Sequence, residues 1–152
     1  MNVDELVKYY RMDVHEENGA YLERHYEAKG EVRPASGSIY YYLGPEELAQ
    51  FHVIDCDEYW AYAGGTPLEI WQFSPEGELK RSRLGLGPGL EPLAYIPAGT
   101  VFGAKHFSKV EEGTFVSCIT VPRFDYAGWR LFSEQEITVK YPEAKEFFVL
   151  DR

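Results

Sequence analysis

The stretch Phe51–Gly65, FHVIDCDEYWAYAGG, carries the pattern that decides the fold. Phe51–Ile54 reads as a short strand holding one histidine. Asp55-Cys56-Asp57 follows as a tight turn, because aspartate tolerates turn geometry and bonds to nearby backbone. A second strand starts near Glu58 and ends at Gly64-Gly65. Side chains alternate faces along a strand. His52 therefore shares a face with Ile54, and Glu58 shares one with Trp60 and Tyr62. Pairing the two strands is expected to bring His52 and Glu58 together, in a neighbourhood walled by Trp60 and Tyr62. An inward-facing charge needs a partner, a ligand or a metal, since an unpaired buried charge is costly. The plainer reading of the same pattern is a His/Glu hydrogen bond in a wet cavity.

The same rhythm extends along the chain. Turn signals recur at strand spacing at Pro34-Ala35-Ser36-Gly37, Gly44-Pro45, Ser74-Pro75-Glu76-Gly77, Gly85–Gly89, Pro97-Ala98-Gly99 and Glu111-Glu112-Gly113. Between them lie SIYYYL, PLEIWQF, LAYI, TVFGAKHF and TFVSCITV, rich in β-branched and aromatic residues. Such spacing predicts an all-β sandwich or barrel. Ahead of it, Asn2 or Asp4 caps a short helix through Leu6, Val7 and Tyr10, read as a lid or a dimer arm. The Glu17-Asn18-Gly19 turn marks the change from helical to alternating periodicity. The chain is expected to be one domain over 1–152, with a helical arm at 1–14, a barrel at about 19–131 and an extension at 133–152. A short helix is expected after Pro142.

Composition narrows the function classes. The 152 residues suit a single core, and 45% of them are hydrophobic. No apolar run approaches the roughly 18 residues of a spanning helix, and the charged start MNVDELVKYYRMD has no hydrophobic signal region. A cytoplasmic location is the expectation. The net charge of -10 argues against nucleic acid and anionic membranes as partners, because both require a basic patch. Cys56 and Cys118 form no close motif and read as part-buried thiols.

The stretches SIYYYL (38–43), HVIDCDEYWAYAGGTPLEI (52–70), LGLGPG (84–89), YIPAGTVFGA (95–104) and CITVPRFDYAGWRL (118–131), with GAYLERHY (19–26) as a weaker match, resemble the cupin superfamily. The similarity is to its small single-domain members of the cupin-5 type, a domain of unknown function. The resemblance implies a double-stranded β-helix, a jelly roll of two antiparallel sheets, with a ligand cavity at its centre. It also implies a homodimer formed by sheet packing.

The superfamily's usual metal site takes an H-x-H pair, a following glutamate, and a histidine from a P-x-G-x-x-H motif. Here His52 matches the first histidine and Glu58 the glutamate. Ile54 and Phe102 stand where the other two histidines would be. Both replacements are apolar, and two ligands rarely hold a transition metal tightly. No cofactor is expected beyond a divalent metal held weakly from solvent. A site formed by His52, Glu58 and His106 is the remaining metal reading, with His106 four residues past Phe102 on a regular strand face.

The metal-free cupins include epimerases that use a histidine base, a carboxylate that orients it, and a tyrosine acid. That chemistry needs a base near neutral pKa and a donor on the opposite face. His52 and Glu58 fit as catalytic base and orienter, and Tyr40, Tyr42, Tyr62 and Tyr95 are candidate donors. Few basic residues fall on predicted strands, Lys105 being one, with Arg81, Arg83 and Arg123 at edges or turns. A neutral ligand therefore fits better than a nucleotide-sugar. Trp60, Trp71, Tyr62, Phe102, Phe124 and Tyr126 offer stacking walls. The leading expectation is a cupin that binds a polar or carbohydrate-like metabolite, with isomerase- or epimerase-type chemistry at His52. The rivals are a binding or sensor module without turnover and a metal-dependent enzyme using His52, Glu58 and His106.

Overall fold

The computed structural model describes residues 2–26 and 33–149. Its strands are β1 (Asp13–Val14), β2 (Ala20–Tyr26), β3 (Gly37–Leu43), β4 (Leu48–Val53), β5 (Asp57–Gly65), β6 (Leu68–Phe73), β7 (Leu79–Leu84), β8 (Leu93–Ile96), β9 (Val101–Lys105), β10 (Thr114–Val121) and β11 (Arg130–Leu131). They form two antiparallel sheets, one ordered β1-β2-β3-β10-β5-β8 and the other β11-β4-β9-β6-β7. This is the expected jelly roll, an all-β double-stranded β-helix.

Contrary to the expected pairing, the strands flanking Asp55-Cys56-Asp57 do not pair with each other. β4 pairs with β9 and β11, whereas β5 pairs with β10 and β8. The Asp55-Cys56-Asp57 turn thus crosses from one sheet to the other and closes no hairpin. His52 and Glu58 belong to opposing walls of the roll. The β4 register also shifts between Ala49 and His52. Such a bulge re-aims side chains, and it leaves Phe51 packed outward while His52 turns inward.

The β6 sequence LEIWQF is buried along its whole length because both its faces are covered. Leu68 and Ile70 face the core between the sheets, with Leu43, Leu84, Ile96, Phe102 and Val116. Trp71 and Phe73 face outward, beneath the C-terminal helices. There Tyr141 stacks on Phe73 at 4.3 Å and Phe147 meets Trp71 at 5.5 Å. Those helices are α2 (Glu134–Lys140) and a 3-10 helix over Pro142–Phe148. A capping box starts α2, since Ser133 accepts from the Glu136 N–H and Glu136 from the Ser133 N–H. The second helix follows Pro142 as the sequence predicts, and α2 comes in addition.

At the other terminus Asn2 caps a 3-10 turn, Val3–Glu5, that runs into α1 (Leu6–Tyr9). Val3, Leu6 and Val7 pack with Ala20, Tyr42 and Phe115. The Asp4 carboxylate accepts from the Tyr42 hydroxyl and from the Gly113 N–H at 2.7 Å. The arm is thereby tied to its own sheet. None of residues 2–12 lines the cavity described next, so the arm is not its lid. No helix among the described residues is long and apolar enough to cross a membrane.

Candidate functional site

The inter-sheet core stops at Tyr41, Ile54, Trp60 and Cys118, whose far sides line a cavity of about 780 Å³. His52 and Glu58 both line it, each buried in its wall. The partner of His52 is Glu17, however, which the sequence reading noted only as part of a turn. The Nε2 of His52 lies 3.1 Å from Glu17 Oε2. Its Nδ1 lies 2.8 Å from the Gln50 carbonyl, which only accepts, so Nδ1 carries a proton. Phe102 closes the remaining side of the imidazole, with ring centroids 4.1 Å apart.

Glu17 is placed by a turn pinned on every side. The Gln50 N–H donates to its carbonyl at 2.9 Å, and the Asn18 amide donates to the Leu48 carbonyl at 2.9 Å. The Gly19 N–H donates to Glu47 Oε2, and the Tyr41 hydroxyl to the Asn18 carbonyl. Gly19 has φ 78°, and a Cβ there would meet the Tyr42 carbonyl at 2.4 Å, so glycine is required. The Trp129 indole N–H donates to Glu17 Oε1 at 2.7 Å. Asp125 helps hold Trp129 by capping the 3-10 turn Tyr126–Gly128, accepting from the Ala127 N–H.

Electrostatics follow from burial with little compensation. Desolvation pushes Glu17 up to about 7, against an opposing pull from His15 and the Trp129 hydrogen bond. It pushes Glu58 up to about 8, and the nearby Glu17 carboxylate adds to the effect. It pulls His52 down to about 4. His15 is lowered as well, and its Nδ1 accepts from the Glu17 N–H. Near neutral pH the Glu17–His52 contact thus gains or loses a single proton, carried by Glu17, and Glu58 is a neutral acid. The Cys118 thiol bonds to Glu58, and burial holds it well above the ordinary thiol value. The Trp60 indole N–H lies near enough to Glu58 to favour its ionised form, yet it completes no hydrogen bond of acceptable geometry.

At the mouth, Arg33 forks onto Asp55 and donates from Nε to the Arg123 carbonyl. Arg123 in turn forks onto Glu23. Each guanidinium is already matched to a carboxylate.

The other expected site residues divide. Phe124 and Tyr126 line the cavity, packed edge to face at 4.7 Å. Tyr40 and Tyr42 do not, because alternation turns them to the outer face while Tyr41 points in. Tyr62 bends back to donate to the Gly65 carbonyl. Tyr95 lies 45% exposed against Tyr59 on the outer surface. Phe102 is wholly buried in the core, and Trp71 lies on the far side of its sheet. His106 falls just beyond the end of β9, and its Nε2 donates to the Thr114 hydroxyl at 2.9 Å, away from the cavity. The side chain of His25 lies outside the described residues. Glu17, His15, Tyr21, Tyr41, Thr120 and Trp129 were missed by the sequence reading.

The metal reading fails on the donors present. Ile54 and Phe102 offer no ligand atom, and His106 is not in the cavity. Among the described residues no three His, Cys, Asp or Glu groups are placed to hold an ion.

Two antiparallel sheets rolled around a buried, acid-lined cavity define a cupin-type barrel. The chain belongs to the family described as Cupin superfamily (DUF985), whose model matches residues 4–132. It is similar to a protein of Shewanella oneidensis, with 31% identity, a TM-score of 0.89, and coverage of 100% of this chain and 98% of that one. It is also similar to a hypothetical protein from Leishmania major, with 23% identity, a TM-score of 0.85 and full coverage of both chains. Oxalate decarboxylase from Bacillus subtilis shares the fold at 13% identity and a TM-score of 0.62, over 95% of this chain and 38% of that one. No curated protein shows significant sequence similarity.

Proposed function

We propose that this protein binds a polar, carbohydrate-like metabolite in its cavity and supports isomerase-type proton transfer there. The observation that carries the reading is the Glu17–His52 contact of 3.1 Å inside a roomy cavity. A buried pair that gains or loses one proton near neutral pH is suited to proton transfer, and it would be a costly way to fill a core. His52 acts through Glu17, because Gln50 and Glu17 already occupy both its ring nitrogens. The ligand is neutral: the interior offers Glu17 and Glu58, and the mouth arginines are committed to Asp55 and Glu23. Tyr21, Tyr41, Trp60, Phe124 and Tyr126 supply ring-stacking surface.

A polyol and sugar panel, screened by ligand-observed NMR against the intact protein, tests this reading. Saturation transfer from the cavity aromatics is expected for at least one compound, with loss in His52→Ala and Glu17→Gln. Equal transfer in the wild type and both variants would end it. A second reading, a binding module without turnover, is favoured by the full engagement of the His52 nitrogens. A bound ligand recovered unchanged, with no isotope exchange, would select it.

A homodimer formed through the outer face of the six-stranded sheet completes the proposal. Leu93, Tyr95, Ile119 and Val121 lie exposed on that sheet. Ile119→Lys is expected to shift the sedimentation mass from two chains to one.

A further inference from the structure

One buried donor at the cavity wall is left without a well-formed hydrogen bond among the described residues. The Trp60 indole N–H, in a residue only 3% exposed, lies beside the Glu58 carboxyl but completes no hydrogen bond to it. A buried donor left without a good partner is costly, and a ligand acceptor would relieve it. Two residues earlier on the same face of β5 stands Glu58, its other polar neighbours being the Cys118 thiol and Glu17. A carboxylic acid kept neutral by its surroundings is a hydrogen-bond donor. Two donors thus sit side by side in the cavity wall, and what they lack is an oxygen on which negative charge grows. Glu17, lining the same cavity and held by Trp129 and His52, is an acid–base group poised near neutrality.

We infer that Glu58 and Trp60 form an oxyanion-binding pair for the carbonyl oxygen of an enolisable substrate, an α-hydroxy aldehyde or ketone, with Glu17 as the catalytic base. The inference rests on the cavity being a ligand site, as proposed above. In the forward step the α C–H bond breaks and its proton passes to a Glu17 oxygen. The electron pair forms the carbon–carbon double bond, and the carbonyl π pair moves onto oxygen. Glu58 and Trp60 bond to that oxygen, and Glu58 gives it its proton, leaving a neutral enediol. After Glu17 has traded its proton with solvent, returning it to the same carbon, as the new hydroxyl gives its proton back to Glu58, leaves solvent hydrogen at that centre. Returning it to the neighbouring carbon shifts the carbonyl, because the hydroxyl on the original α carbon then gives up its proton, which restores Glu58. Protons and electrons balance without a co-reactant. His52 is a positioning residue: its Nε2 accepts a hydrogen bond from the Glu17 carboxyl once that group carries the proton.

Hydroxyacetone in D2O, followed by proton NMR, reads the first half of this cycle as loss of its α C–H signal. Wild type is expected to exceed the buffer rate. Glu58→Gln and Trp60→Phe are each expected to lower the protein-dependent rate by about 100-fold, the usual loss for one oxyanion donor. Glu17→Gln is expected to return it to the buffer rate, and thermal melting shows whether each variant is folded. Calorimetry with glycolohydroxamate, which resembles an enediolate, against erythritol supplies a second reading. Wild type should bind the hydroxamate at least about tenfold more tightly, and both donor variants should lose that preference. Erythritol binding without preference or exchange would overturn the enolisation and leave the ligand site standing. Neither binding nor exchange would overturn both.

Discussion

The buried acid Glu58 makes a stability prediction that can be worked through in numbers. Its carboxyl moves from the ordinary 4.5 to about 8 on folding, chiefly through desolvation. The folded protein then holds this proton up to about pH 8, whereas the unfolded chain releases it near 4.5. Over that window the native state binds more protons, so stability falls as pH rises. At about 1.4 kcal/mol per tenfold change in proton affinity, the full effect is about 5 kcal/mol. That equals the lower end of the total stability of a domain, roughly 5–15 kcal/mol, so water entering the cavity will absorb part of it. Glu58→Gln keeps the shape and removes the ionisation. The two proteins should lie within about 1 kcal/mol of each other at pH 5. At pH 9 the variant should be more stable by about 2–5 kcal/mol. Urea unfolding from pH 5 to 9 measures both curves. Glu17 and His52 bend both in nearly the same way, so the difference isolates Glu58. A difference that stays flat across the range refutes the assignment.

The remaining predictions concern the site and its scaffold. Hydroxyacetone exchange should follow a bell-shaped pH profile, rising near pH 7 as Glu17 ionises and falling near pH 8 as Glu58 does; a single limb near 4.5 would contradict it. Gly19→Ala should cost about 2–4 kcal/mol in urea unfolding and weaken ligand binding, because the new Cβ meets the Tyr42 carbonyl at a positive φ. The double substitution Ile54→His with Phe102→His should create nickel binding that calorimetry detects, since it supplies the two missing donors; equal binding by wild type would show that the natural residues already hold an ion.

Much of the fold was legible because each strand is short and bounded by its own turn chemistry, as in IYYYL before Gly44-Pro45. Pairing was less legible. Asp55-Cys56-Asp57 is as good a turn between sheets as within a hairpin, and only the global roll decides between them. The tyrosines show what a single register step does: the candidates Tyr40 and Tyr42 point out, and Tyr41 between them points in. His106 was misplaced because the regular-strand argument ran one residue past the end of β9. Glu17 was invisible for another reason. The chain holds 25 acidic residues, and nothing local separates the one that folding buries from those that stay in water. The nearest signal is its place between His15 and the glycine turn, which acquires meaning only when the loop docks on β4.

Carbon-13 NMR of the glutamate side-chain carboxyls, titrated from pH 3 to 10, tests the central claim most directly. The account predicts two carboxyls that stay protonated through the ordinary range and titrate near pH 7 and pH 8, assigned to Glu17 and Glu58 by loss of each signal in its glutamine variant. All glutamates titrating together near 4.5 would contradict it.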